Sequence, residues 1–352
     1  MKKKYLFLIL SILYAIIGFG QIAPNKDKNW VLNTSLSDEF NGTIVDTAKW
    51  KIITGWHVGS APYYVSNVAI EDETSSGGSR VNRILRMKAA SKSSTGGIES
   101  KNANYLYGYY EMRARLPGYF NTELQQPCSR GFWTAFWAAH QVRDSINPKC
   151  IIEHNEIDIV EPCGYWHGEW QDDAQTNEVG HHMLSSEPCN ITKLSPKIIK
   201  NLPPLYENFH KFAAECLPDR IIYYFDDVPF HTVYGLPFPN TLMKVVMNNQ
   251  LCSSNTFYPN TPFPLYYDVD YFRYYQLNTQ YCNTDALIIN NTQLSNFIYG
   301  VRQNITIGNG TAAISLNSGE SVTFRATNAV TINGDFTVPL GCELNIISTL
   351  CP

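Results

Sequence analysis

The chain has 352 residues, with 27 Lys and Arg against 31 Asp and Glu, and a formal net charge of −4. That near balance excludes a basic nucleic-acid surface and an acidic disordered tail, and the length suits one large domain plus a small module. Aromatic residues make up 13%, which serves a large all-β core or stacking against sugar rings equally well. The chain opens with Lys2 to Lys4, an apolar run from Tyr5 to Ile17, and the small residues Gly18 and Gly20. This pattern predicts a signal peptide over 1–20, cut before Gln21. The apolar run is too short and too near the end to span a membrane. A secreted, periplasmic or surface-held protein without a membrane span is expected.

An exported chain permits disulfides, but nine cysteines is an odd number, so at least one lacks an intramolecular partner. No Cys-x-x-Cys pair occurs, which argues against a structural zinc site. On proximity alone, Cys128 pairs with Cys150 and Cys342 with Cys351. Asn41-Gly42 marks an early turn. Trp56, His57, Tyr63 and Tyr64 follow in a loop rich in Gly, Pro and Ser. Leu85 to Ala89 reads as a short strand. Tyr110, Met112 and Ala114 then alternate with Glu111, Arg113 and Arg115, as in a strand with one buried and one polar face. Glu111 and Arg113 read as members of cross-strand ion pairs. From Gly131 to Trp137, Trp133, Ala135 and Trp137 share one face, with Phe132, Thr134 and Phe136 on the other. Both faces are apolar, so this strand is central. A Trp on its open side offers a flat surface to a pyranose ring.

The stretch from Asn155 to Gly164 carries three carboxylates, Glu156, Asp158 and Glu161, among Ile157, Ile159 and Val160. Branched aliphatics favour a strand, and alternation puts Glu156 and Asp158 on one face. Strict alternation sends Glu161 to the other face. One extra residue, a β-bulge between Asp158 and Glu161, returns it. Crowded carboxylates repel, so one keeps its proton to higher pH. Glycoside hydrolysis needs that split: an ionised carboxylate to attack the sugar and a protonated carboxyl to release the leaving oxygen. The plainer reading is an acidic stripe on a solvated strand. His167, His181 and His182 follow. A metal held by these acids would quench a nucleophile, so no catalytic cofactor is expected.

Further along, Asn208 to Pro229 reads as a hairpin, and Leu242 to Leu251 and Tyr267 to Tyr275 as strands. Asn278 to Asn291 is poor in hydrophobic residues and reads as a linker. From Ile298 on, short strands alternate with glycine turns. Gly-Asn-Gly-Thr-Ala-Ala at 308–313 lacks the helix and acid of a dinucleotide site.

Glu-Ile-Asp-Ile-Val-Glu at 156–161 resembles the bulged Glu-x-Asp-x-x-Glu motif of glycoside hydrolase family 16, the group of laminarinases, agarases, porphyranases and carrageenases. Other segments resemble that family too: Asp-Glu-Phe-Asn-Gly at 38–42, Phe-Trp-Thr-Ala-Phe-Trp at 132–137, and the hairpin from Phe209. Thr134 stands where Pro is common, and Cys216 replaces a usual Trp. The resemblance implies Glu156 as nucleophile, Asp158 as its assistant and Glu161 as general acid/base. It places Trp133 and Trp137 beside the cleaved bond, Trp56 in the far wall of the cleft, and His182 and Asn248 near the sugar. Asp270 is its candidate ligand for a structural calcium, with an ordinary ion pair as the alternative. Glu153-His154-Asn155 departs from the Pro and Gly that laminarinases often carry there, which weighs against a β-1,3-glucan.

The implied fold is all-β: a jelly-roll sandwich of two curved antiparallel sheets over 25–278. A linker at 279–295 and a small β module at 296–352 follow, the latter resembling the stacked-β modules of secreted Bacteroidetes proteins. The implied function is a retaining endo-hydrolase of β-linked polysaccharide, a laminarin-type glucan or an algal galactan, acting as a monomer. A lectin-like binder and a transglycosylase are the alternatives.

Overall fold

In the computed structural model, the described residues are 30–55, 59–73, 82–162, 165–166, 169–170, 174–184, 189–217, 220–234, 238–239, 241–277, 284–289, 293–294, 297–319 and 321–348. The expected signal peptide, Trp56 and Cys163 lie outside them. Alternating apolar and polar side chains produce strands almost everywhere, and no α-helix occurs among the described residues. Counting the strands of the two large sheets, the first are β1 (Trp30–Leu32), β2 (Trp50–Ile52), β3 (Val68–Glu73), β4 (Asn82–Ala89), β5 (Gly97–Ser100) and β6 (Gly108–Arg115). Next come β7 (Phe132–Arg143), β8 (Ile151–Val160), β9 (Asn177–Leu184) and β10 (Ile191–Ile199). The set closes with β11 (His210–Leu217), β12 (Arg220–Phe225), β13 (Val228–Tyr234), β14 (Lys244–Leu251) and β15 (Leu265–Leu277).

One sheet has eight strands in the order β13-β12-β11-β6-β15-β4-β3, with β1 added on β15; the other has seven, β10-β9-β8-β7-β14-β5-β2. Pairing in both is antiparallel. The layers meet over one core that includes Leu85, Met87, Tyr110, Met112, Phe136, Ile157, Ile159, Val160, Met247 and Tyr274. Cys216 lies fully buried in the same core, so the position resembling a family Trp is a packing position. Arg113 pairs with Asp270 across the sheet at 2.5 Å, as the polar face predicts. Glu111 differs: it is buried and accepts a hydrogen bond from the Tyr271 hydroxyl at 2.9 Å.

Among the described residues, Cys150 is bonded to Cys189 and not to Cys128. Cys128 is a buried free thiol, and Cys342 is also unpaired, its sulfur 3.1 Å from the Asn317 carbonyl. Sequence proximity misleads here because Cys189 bridges the start of β8 at Ile151 from 39 residues beyond Cys150.

The C-terminal strands pair in parallel. They are β16 (Thr284–Ile289), β17 (Phe297–Ile307), β18 (Ser321–Ala326), β19 (Ala329–Ile332) and β20 (Glu343–Ser348), ordered β16-β17-β18-β20 with β19 on β17. They enclose their own core of Ile289, Ile305, Ile307, Ile314, Leu316, Val322, Phe324 and Ala326. Gly308 turns the chain at φ +81°, where a Cβ would stand 2.5 Å from the Asn333 carbonyl oxygen. The segment read as a linker, 279–295, contains β16 and a second short strand at Gln293–Leu294. Its longest apolar run, Ala286 to Ile289, is short, and the surrounding Asn and Thr obscure it.

Candidate active site

The acid strand β8 is central in its sheet, between β7 and β9. Ile157 faces the core, so Glu156 and Asp158 face away from it. Asp158 pairs with Trp137, and Val160 with Phe136; the register shifts between them. Ile159 and Val160 therefore both pack inward, and Glu161 returns to the acid face. Asn177, at the start of β9, clamps this bulge. Its side chain donates to the Ile159 carbonyl at 3.0 Å and accepts from the Glu161 amide at 3.1 Å.

Three strands contribute a row of facing residues. Glu156 on β8 lies opposite His182 on β9, which lies opposite Lys193 on β10. His182 Nδ1 is 2.6 Å from one Glu156 oxygen, close but misaligned for a hydrogen bond, and its Nε2 is 3.5 Å from Asp158. His181 faces the other way, fully buried and stacked on Phe238. This fixes the register that the sequence leaves open.

Lys193 is the largest addition to what the sequence shows. Its ammonium contacts Glu161 directly, with Glu178 at 3.0 Å and Asp158 at 3.8 Å. It reaches them across Gly180, the cross-strand partner of Asp158. A Cβ at Gly180 would stand 2.9 Å from Lys193 Cε. Burial opposes the charge on Lys193, yet Asp158, Glu161 and Glu178 together hold its pKa above the ordinary value. Burial in turn raises the Glu161 carboxyl, against the pull of Lys193. Asp158 is raised well above its usual range, first by burial and then by the charges of Glu161 and Glu156. Lys193 escapes a sequence reading because it lies 32 residues from Glu161, in a strand without sharp alternation.

Trp133 donates its indole N–H to Glu161 at 3.3 Å, which joins it to the acids. Trp137 is half-buried and donates to the Asn248 carbonyl oxygen at 3.0 Å. Asn248 itself is fully buried and gives its amide N–H to the Tyr63 hydroxyl at 2.9 Å. Both ends of that side chain are engaged, so it props Trp137 against the sheet. Asp270 is held by Arg113, as above. The guanidinium donates to one of its two carboxylate oxygens, which is the ion pair expected as the alternative to a calcium ligand.

These features define a class, a glycoside hydrolase built on a β-sandwich with its acids on one sheet face. The sequence signature described as the beta-porphyranase A–D, GH16 domain matches residues 30–251. The chain belongs to glycoside hydrolase family 16. It is 26% identical over 250 residues to beta-porphyranase B of Zobellia galactanivorans, covering 64% of this chain and 79% of that protein. It is 24% identical over 244 residues to a beta-glucanase of Rhodothermus marinus, covering 68% and 76%. The fold resembles the kappa-carrageenase of Zobellia galactanivorans, with a TM-score of 0.54 at 20% identity over 72% of this chain and 98% of that one. A Bacteroides ovatus family 16 endo-glucanase gives 0.52 at 18% identity, over 68% and 98%. Among the described residues, no helix is long and apolar enough to cross a membrane.

Proposed function

We propose that the chain is an exported, retaining endo-hydrolase of β-linked polysaccharide, and that its substrate is a red-algal galactan of the porphyran type. The observation that carries the chemistry is the bulge, which sets Glu156, Asp158 and Glu161 on one sheet face with unlike environments. Glu156 attacks the anomeric carbon. Glu161, whose carboxyl burial raises above its ordinary value, gives its proton to the departing glycosidic oxygen. Water then resolves the glycosyl ester, with Glu161 now acting as base. Asp158, protonated in its buried place, stands as a hydrogen-bond donor beside the nucleophile. Trp133 and Trp137 line the sugar path, and His182 meets a hydroxyl next to Glu156. The porphyranase signature over 30–251 supports the galactan. The glucanase relative favours a second reading, a β-glucan.

The test is release of reducing ends from porphyran, agarose, kappa-carrageenan, laminarin and mixed-linkage glucan, with the anomer formed first followed by NMR. Porphyran cleavage with retained configuration is expected. Glu156→Gln should remove turnover while leaving the thermal transition in place. Inactivity on the whole panel, or a fully active Glu156→Gln enzyme, defeats the proposal.

A further inference from the structure

His154 stands two residues before Glu156 on the same face of β8. The proposed mechanism gives it no task. Its side chain is only 2% exposed, and neither ring nitrogen has a hydrogen-bond partner among the described residues. An orphaned buried imidazole costs free energy and calls for an explanation, because such groups normally have a partner in protein, water or ion. The ring is aimed at the nucleophile: His154 Nε2 lies 3.6 Å from Glu156 Oε2. From the next strand, His182 Nδ1 lies 2.6 Å from Glu156 Oε1, and both of its ring nitrogens also lack hydrogen-bond partners. The two imidazoles are stacked, with centroids 6.3 Å apart and planes 27° from parallel. One donor atom from each of His154, Glu156 and His182 falls within 4.8 Å of the others.

Two imidazole nitrogens and one carboxylate oxygen form the donor set that borderline divalent ions prefer. Bonds of about 2.0–2.2 Å would bring these atoms to roughly 3.4 Å apart in a tetrahedron, leaving one position open. Small side-chain rotations close the remaining gap. Hard cations such as magnesium demand oxygen ligands and gain little here.

We propose that His154, Glu156 and His182 form an inhibitory site for a zinc-class divalent ion, which caps the nucleophile and stops turnover. The ion takes the lone pair of Glu156 that would otherwise attack the sugar. His154 is then the residue that distinguishes metal capture from catalysis. The inhibition rests on the reading of Glu156 as nucleophile; the binding does not.

The experiment uses full-length protein stripped with EDTA and exchanged into chelator-free buffer. Zinc chloride is titrated by calorimetry, with magnesium chloride as control, and polysaccharide hydrolysis is followed in parallel. One zinc per chain, none of the magnesium, and loss of turnover that EDTA restores are expected. His154→Ala and the bulkier His154→Gln should each weaken zinc at least about tenfold and keep turnover within threefold in EDTA. Zinc should also raise the thermal midpoint of the wild type and leave that of the variants unchanged. Absence of binding to the wild type overturns the proposal even if both variants misfold. Equal zinc affinity or equal inhibition in a folded variant overturns it as well. Zinc binding through His154 by a protein that hydrolyses no polysaccharide keeps the site and defeats the hydrolase reading. Hydrolysis unaffected by zinc does the reverse.

Discussion

A carboxyl buried beside two others must hold a proton or bear an unfavourable charge, and Asp158 is in that position. Unfolded, it loses its proton near the ordinary value of 3.8; folded, burial and the charges of Glu161 and Glu156 keep the proton on to much higher pH. Between those limits the folded state binds more protons than the unfolded, so this group makes stability fall as pH rises. Asp158→Asn should therefore raise the melting temperature near pH 8 and change it little near pH 3. An equal gain at both pH values would show that Asp158 is not the titrating group. Lys193 acts in the opposite sense on Glu161, drawing the raised carboxyl back down. Lys193→Met should move the alkaline limb of the kcat profile to higher pH, because the general acid then holds its proton longer. An unmoved limb, measured on a folded variant, would place that limb on some other group. The sequence shows the three acids because their own alternation announces them. It does not show His182 over His181, Lys193 or Asn248's support of Trp137, since each depends on which residue of another strand lies opposite.

At the scale of the element, the catalytic geometry rests on a single irregularity. Residues 156–159 alternate, and the pattern breaks at Val160; the sequence therefore carries the bulge in the form of a misplaced aliphatic. What it does not carry is the clamp. Asn177 lies 18 residues from the carbonyl it satisfies, and its amide closes both open backbone groups of the bulge. Asn177→Ala leaves a buried carbonyl and a buried amide unmet, at about 1–3 kcal/mol each. Glu161 then drifts, and a misplacement of about 1 Å can cost on the order of a hundredfold in rate. Urea unfolding should show the loss of stability, and kcat under fully folded conditions should fall with it. A destabilised variant with unchanged kcat would mean that the sheet alone holds Glu161.

Over the whole molecule, the sandwich is legible because several of its strands alternate and several segments resemble a known family. The parallel C-terminal unit is less so. Its first strand is one short apolar run amid Asn and Thr, and parallel pairing leaves no hairpin signal in the sequence. The physical division is nonetheless plain, because the two units keep separate apolar cores. Residues that share a core melt together, and those that do not can melt apart. Calorimetry should then show two transitions. Ile305 is fully buried in the second core, so Ile305→Ala removes contacts worth about 2–5 kcal/mol from that core alone. It should lower one transition, leave the other in place and leave polysaccharide hydrolysis unchanged. A single transition that shifts as a whole would mean that the module and the sandwich fold as one cooperative unit, and that the module stabilises the active-site sheet from a distance.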